Sequence, residues 1–386
     1  MSTQSASAAR EQQQTDSRAL LIQVKFDRDR KLHQNLDELD QLVRATGLTP
    51  ALRMQVNRAR PDAALCVGSG KADEIKSTLA EQSLGLVVFD HPISPVQQRN
   101  LMQLLDVPVI DRTELILEIF ARRAQSYEGR LQVELARIEH QMTRLVRGWS
   151  HLERQRGVIG VRGGPGEKQV ELDRRMLDTK AKQLRLRLAK LSKQRLTRRR
   201  SRDRRGAFKV SLVGYTNAGK STLFNALTGS GTFVADQLFA TLDTLTRRLR
   251  LPDGCEVVLS DTVGFVRDLP HSLVDAFKAT LEETADADLL IHVVDASAVD
   301  RDVQQLEVDT VLAEIDASRV PCVIAFNKID LAGRPSSFEE GPCGTIDRVW
   351  ISAQSGDGMA SLLTAMAQRR QLQGAGWAVD AANLVA

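Results

Sequence analysis

The chain has 386 residues, 42% hydrophobic and 26% charged, which excludes a lone small domain or a disordered protein and leaves room for two or three packed cores. There is no run of apolar residues long enough for a membrane-spanning helix. The four cysteines, Cys66, Cys255, Cys322 and Cys343, lack C-x-x-C spacing, so a disulfide scaffold or zinc site is not expected and a reducing cytoplasm is.

The net charge of +4 conceals an asymmetry. Residues 121–205 hold 25 Lys and Arg against 9 Asp and Glu, a net of +16, and the rest of the chain carries −12. A concentrated positive segment points to a polyanionic partner, most often nucleic acid.

In chain order, residues 1–17 are polar, lack the apolar stretch of a secretory signal and read as a disordered tail. Residues 18–120 read as a small N-terminal α/β domain. Strands are expected at 19–24, 63–67, 86–89 and 107–110, and helices at 32–45, from about Gly70 to Leu79, and at 96–105. Gly68-Ser69-Gly70-Lys71 reads as a structural turn, because it has no earlier glycine and no Ser or Thr after the lysine.

Residues 121–205 read differently. Leu131, Leu135, Ile138, Met142 and Leu145 recur at steps of four and three, one stripe of a long helix. Leu177, Leu184, Leu188 and Leu191 make a second stripe. Between them, 157–167 contains five glycines and a proline, too many to continue a helix. An antiparallel helical hairpin with a glycine-rich tip is expected, closing in a charged hinge at 198–205.

Residues 206–370 alternate strands (208–213, 244–251, 255–260, 289–294, 320–326, 348–352) with helices (220–227, 271–283, 303–316, 359–369). This is a mostly parallel sheet with helices on both faces. Residues 371–386 are left as a short tail.

The chemistry lies in this last region. Gly214-Tyr215-Thr216-Asn217-Ala218-Gly219-Lys220-Ser221 fits G-x-x-x-x-G-K-S between a strand and a helix. Its backbone N–H groups and the helix N-terminus would cradle a polyphosphate. Lys220 would reach the β- and γ-phosphates and Ser221 would hold Mg2+. Asp261-Thr262-Val263-Gly264 closes the next buried strand. There Asp261 would orient water on the metal, and the Gly264 N–H would bond the γ-phosphate. Asn327-Lys328-Ile329-Asp330 supplies a carboxylate for guanine N1–H and the 2-amino group, an edge that adenine lacks. Asn327 would brace the loop and Lys328 would cover the ring. Ser352-Ala353-Gln354 suits a backbone contact to the guanine carbonyl. The reading is a P-loop, magnesium-dependent guanine-nucleotide hydrolase. Phe265 stands where many GTPases carry a water-orienting Gln, so slow basal hydrolysis is expected.

With these motifs on the page, the chain resembles the HflX family of translational GTPases, within the Obg-HflX group. The resemblance rests on the phosphate loop from Gly214 through Thr222, on Leu238-Phe239-Ala240-Thr241-Leu242-Asp243 as its first switch, on the glycine-rich segment and on residues 111–120. It runs over most of the chain. Thr244 stands where the family has proline. The resemblance implies that Thr241 contacts magnesium when GTP is bound. It also implies a protein that binds the large ribosomal subunit and ribosomal RNA and splits stalled ribosomes under stress. A GTP-gated RNA-binding or assembly factor without splitting activity stands open beside it. In related GTPases an Asn at position 217 binds potassium that neutralises transition-state charge; the alternative is that Asn217 only shapes the loop. Arg122, Arg123, Arg154, Arg156 and Arg162 are candidate RNA contacts, and a monomer is expected when the protein is free.

Overall fold

A computed structural model describes residues 18–26, 36–149, 165–203, 207–229, 238–239, 241–242, 244–267 and 284–383. The expected disordered tail, the tip at 157–164 and the helix at 271–283 fall outside these residues. The chain divides into two compact units. One comprises Met1–Arg122 and Leu131–Arg187, the other Arg123–Arg130 and Leu188–Ala386.

The first unit is built on four parallel strands in the order β2-β1-β3-β4. They are β1 (Arg18–Phe26), β2 (Thr49–Arg58), β3 (Leu86–Phe89) and β4 (Val109–Asp111). Residues 19–24 of β1 are buried without alternation, as expected of a central parallel strand covered on both faces. Helices α1 (Leu36–Ala45), α2 (Ser69–Gln82), α3 (Pro95–Leu105) and α4 (Arg112–Arg123) lie between and after these strands. Ser94 caps α3 in a reciprocal capping box with Gln97, with Pro95 in the first turn.

Two expectations are corrected here. The run at 63–67 is no strand but a turn closed by a single Asp62–Cys66 bridge, with Cys66 at φ 61. The second strand is instead β2, a mostly exposed edge.

Helix α5 (Tyr127–Trp149) and helix α6 (Pro165–Asp203) form the basic pair. Leu131, Leu135 and Ile138 are buried, as are Ala181 and Leu184. Glu134–Lys180 and Glu139–Arg185 ion pairs, each 2.7 Å, flank this seam. Residues 123–130 at the start of α5 share a compact unit with α6 from Leu188 on, the neighbourhood an antiparallel pair produces. Two details differ from expectation. Pro165, Gly166 and Glu167 form the first turn of α6, where proline costs no hydrogen bond. Residues 198–203 continue α6 instead of forming a hinge, since Arg is a good helix former.

The second unit carries a seven-stranded sheet in the order β10-β11-β9-β8-β5-β7-β6. Its strands are β5 (Phe208–Val213), β6 (Leu245–Arg250), β7 (Glu256–Asp261), β8 (Leu289–Asp295), β9 (Cys322–Asn327), β10 (Ser337–Glu340) and β11 (Ile346–Trp350). The five central strands are parallel; β6 and β10 run antiparallel at the two edges. Helices α7 (Lys220–Thr228) and α10 (Met359–Asn383) cover one face, where Leu223, Phe224, Leu362 and Met366 join the core. Helix α8 (Arg301–Glu314) covers the other through Val308, Val311 and Leu312. The short α9 (Ile329–Ala332) follows β9. Residues 371–383, expected as a tail, continue α10. Strand β5 lies between β7 and β8, so the chain leaves it first to one side and then to the other. The carboxyl end of β5 is therefore a topological switch point, where such sheets bind ligands.

Candidate functional site

The loop from Gly214 to Gly219 leaves β5 at this point and enters α7. Its geometry forbids larger residues at two places. Gly214 has φ +148, and a Cβ there would meet Val293 O at 2.2 Å. Gly219 has φ +92, and a Cβ there would meet Asn327 Nδ2 at 2.3 Å. Asn217 sits at φ 61, a left-handed conformation that Asn tolerates better than most side chains. That conformation fits the loop-shaping reading of Asn217.

Lys220 folds back over the loop. Its Nζ donates to Gly214 O (3.0 Å) and Tyr215 O (2.8 Å) and is buried. Burial lowers its pKa to about 8, against the pull of Asp261. His292 on β8 is buried too, and burial, with Lys220 nearby, lowers it to about 4, so it stays neutral.

Three oxygen groups converge beside Lys220. Ser221 Oγ donates to Asp261 Oδ2 at 2.7 Å and lies 2.8 Å from Thr241 Oγ1. Thr241 Oγ1 also donates to Asp261 Oδ2, at 2.7 Å. The other carboxylate oxygen, Asp261 Oδ1, is buried with no hydrogen-bond partner. Burial pushes the Asp261 carboxyl up, opposed by the two hydroxyls and Lys220. Two hydroxyls and a carboxylate with one unmet acceptor are the hard oxygen donors that Mg2+ prefers. The residues fit that ion.

The glycine loop and the segment after β7 are tied together. Thr216 N donates to Phe265 O (2.7 Å), and Phe265 N donates to Gly214 O (3.1 Å). Thr262 Oγ1 donates to Leu212 O at 2.6 Å, and Arg267 N to the Tyr215 hydroxyl at 2.8 Å. A Cβ on Gly264 would meet Thr216 Cγ2 at 2.8 Å and Lys220 Nζ at 3.0 Å, so only glycine brings this backbone to the phosphate loop. Val263 is buried, and the Phe265 ring lies in the core with Val213 and Leu290, so it presents nothing to a water molecule.

At the other end, Asn327 is the joint. Its Nδ2 donates to Ala218 O (2.9 Å), and its Oδ1 accepts from Ala353 N (2.9 Å). Phosphate loop, Asn327-Lys328-Ile329-Asp330 and Ser352-Ala353-Gln354 are thereby one assembly. Ile329 is buried, and Asp330 is exposed in the first turn of α9. Ala353 N–H is already donated, and Ser352 N donates to Asp357 O. Of this loop's amides, Gln354's remains to meet a base carbonyl.

Among the remaining expected site residues, Thr222 is half-buried in the first turn of α7. Phe239 and Leu242 are buried anchors on either side of Thr241, while Ala240 and Asp243 lie outside the described residues. Of the candidate RNA contacts, Arg122 is taken up by Glu118 and Thr46 O, and Arg154, Arg156 and Arg162 lie outside the described residues. One residue was missed. Asp295 pairs with Lys328, and its signal was a carboxylate at the end of a buried strand, the placement that singled out Asp261.

Comparison with known proteins matches this geometry. A family model described as GTP-binding GTPase N-terminal matches residues 33–121, and one described as GTP-binding GTPase Middle Region matches 123–202. A third, described as 50S ribosome-binding GTPase, matches 209–328. The GTPase HflX of Escherichia coli (strain K12) is 49% identical over 353 residues, 91% of this chain and 82% of that protein. The chain belongs to the HflX GTPase family. The GTPase HflX of Magnetococcus marinus is 45% identical over 358 residues, 92% of this chain and 82% of that one. A crystal structure described as SsGBP and GDP complex shares the fold at TM-score 0.50 and 23% identity, covering 92% of this chain and 99% of that chain. As an HflX-family member the chain is a GTP-binding, GTP-hydrolysing enzyme. Among the described residues, no helix is long and apolar enough to cross a membrane.

Proposed function

We propose that this HflX-family GTPase works in the cytoplasm on the large ribosomal subunit, as a monomer when free, and splits or rescues stalled ribosomes under stress. The observation that carries this reading is the α5–α6 pair. Most of the positive charge of this segment lies on α6, which alone holds 14 Lys and Arg against 5 Asp and Glu, on a helix whose apolar stripe accounts for only one face. Arg174, Lys182, Arg187 and Lys190 remain exposed on α6, suited to phosphate neutralisation with counterion release. The match to a model described as 50S ribosome-binding GTPase points the same way. We assign the parts as an N-terminal α/β domain (18–120), the basic hairpin (121–205) and the GTPase domain (206–370).

In the nucleotide site, Lys220 would exchange its two loop carbonyls for the β- and γ-phosphates. Asp330 would read the guanine edge, and Gln354 N–H would meet its carbonyl. Ser221 and Thr241, with Asp261 behind them, would hold Mg2+. The ion would neutralise charge building on the phosphates. Because Thr241 and Gly264 both answer to the γ-phosphate end, GTP orders these segments, and hydrolysis releases them and lowers ribosome affinity. With Phe265 buried, this chain offers no side chain there to orient water, so basal hydrolysis is slow and a partner completes the site.

The test is GTP hydrolysis with and without purified large subunits, followed by light scattering on intact ribosomes. Large stimulation and a GTP-dependent fall in scattering are expected. Stimulation without any fall would leave an RNA-binding or assembly factor. No stimulation would overturn the ribosomal reading.

A further inference from the structure

Lys328 has a partner that the GTPase motifs leave out. Its Nζ lies 2.8 Å from Asp295 Oδ2, with 22% and 17% of the two side chains exposed. Asp295 is itself oriented: its Oδ1 accepts from Ser297 N (2.9 Å) and from Ser297 Oγ (2.6 Å). The two loops are further joined by Ala296 N donating to Asn327 O at 2.8 Å. Lys328 has the left-handed φ of 64, a conformation that persists only where its surroundings hold it. Its stem runs past the phosphate loop, with Cε at 4.0 Å from the Cβ position of Gly219. A lysine so short of free rotamers presents its methylenes as a flat wall, and the carboxylate at its tip decides where that wall stands.

We propose that Asp295 is a positioning residue for the nucleotide. By gripping the Lys328 ammonium, it holds the lysine stem across the face of the guanine ring. This rests on the reading above that the base sits between Asp330 and Lys328. The two residues divide the work: Asp330 reads the ring's edge, and Asp295, acting through Lys328, fixes its face. Loss of Asp295 therefore weakens every purine nucleotide that stacks there by one common factor. It leaves the preference for guanine over its edge analogues unchanged.

The test uses the full chain and fluorescent GDP, with IDP, which lacks the 2-amino group, as competitor. Asp295→Asn is expected to release GDP faster and to weaken GDP and IDP alike, by about tenfold, the effect of one lost charge-assisted contact. In a Lys328→Met background, Asp295→Asn adds nothing further, because its effect runs through that ammonium. Unchanged GDP affinity, or an undiminished loss in the Lys328→Met background, would overturn the proposal. If Asp295→Asn does not fold, Ser297→Ala, which removes the hydroxyl orienting the carboxylate, carries the same test with a smaller loss, and unchanged affinity there overturns it equally. A parent protein that fails to prefer GDP over IDP would instead sink the assignment of Asp330 and leave Asp295 to be judged by its own variants.

Discussion

Lys220 is a cation held in a buried place by two carbonyl oxygens and a nearby carboxylate, and that burial lowers its pKa from 10.5 to about 8. Below about pH 8 the lysine is charged in folded and unfolded chains alike, and its burial costs stability. As pH rises toward 10.5, the native site gives up its proton first, so this cost fades and the nucleotide-free protein gains stability from the group. A polyphosphate reverses the balance, because its negative oxygens favour the charged amine. Binding of GDP at about pH 8 is therefore expected to take up protons. Calorimetry in buffers of different ionisation enthalpy measures this; no uptake, or net release, would show that Lys220 does not meet the phosphates. The neighbouring residues were legible because their chemistry is local in sequence. A glycine that must admit Val293 O and a hydroxyl that follows a lysine leave a spacing that survives any fold. Asp295 ends a buried strand as Asp261 does, but its partner Lys328 follows the next strand, so the pairing itself was not legible: the contact exists only once β8 and β9 pair.

Among the elements, the α5–α6 pair separates two kinds of contact. Glu134 and Lys180 are close, but their side chains are 43% and 55% exposed, so solvent screens the pair and it is worth less than about 1 kcal/mol. Leu184 is 3% exposed in the seam. Lys180→Ala is thus expected to leave the denaturant midpoint nearly unchanged, whereas Leu184→Ala costs about 2–5 kcal/mol. Equal effects would mean that charge, not the apolar stripe, holds the helices. Stripes of this kind are readable because their period is intrinsic to the helix. The strands that escaped notice are edges. In β2 only Leu52, Met54 and Val56 alternate, among Pro50, Arg53 and Arg58, and β10 reads Ser-Phe-Glu-Glu. An edge strand is specified by the neighbour it pairs with more than by its own apolar content. The run at 63–67 misled for the opposite reason: it is apolar enough for a strand, but Asp62 accepts the Ala64 and Leu65 amides and turns the chain.

In the second compact unit, a sheet switch point, the phosphate loop and a braced base loop make the candidate nucleotide site. Asn327 hydrogen-bonds both the phosphate loop, at Ala218 O, and the last loop, at Ala353 N. That the ring is chosen by a single carboxylate is the claim on which the account stands. Calorimetric titration of the full chain and of Asp330→Asn with GDP and with XDP tests it most directly, since an amide at 330 donates to the 2-oxo group of xanthine where the carboxylate accepted from guanine. The account predicts that the parent binds GDP and not XDP, and that the variant loses at least about a hundredfold toward GDP while gaining XDP. A variant that keeps its preference for GDP would contradict it.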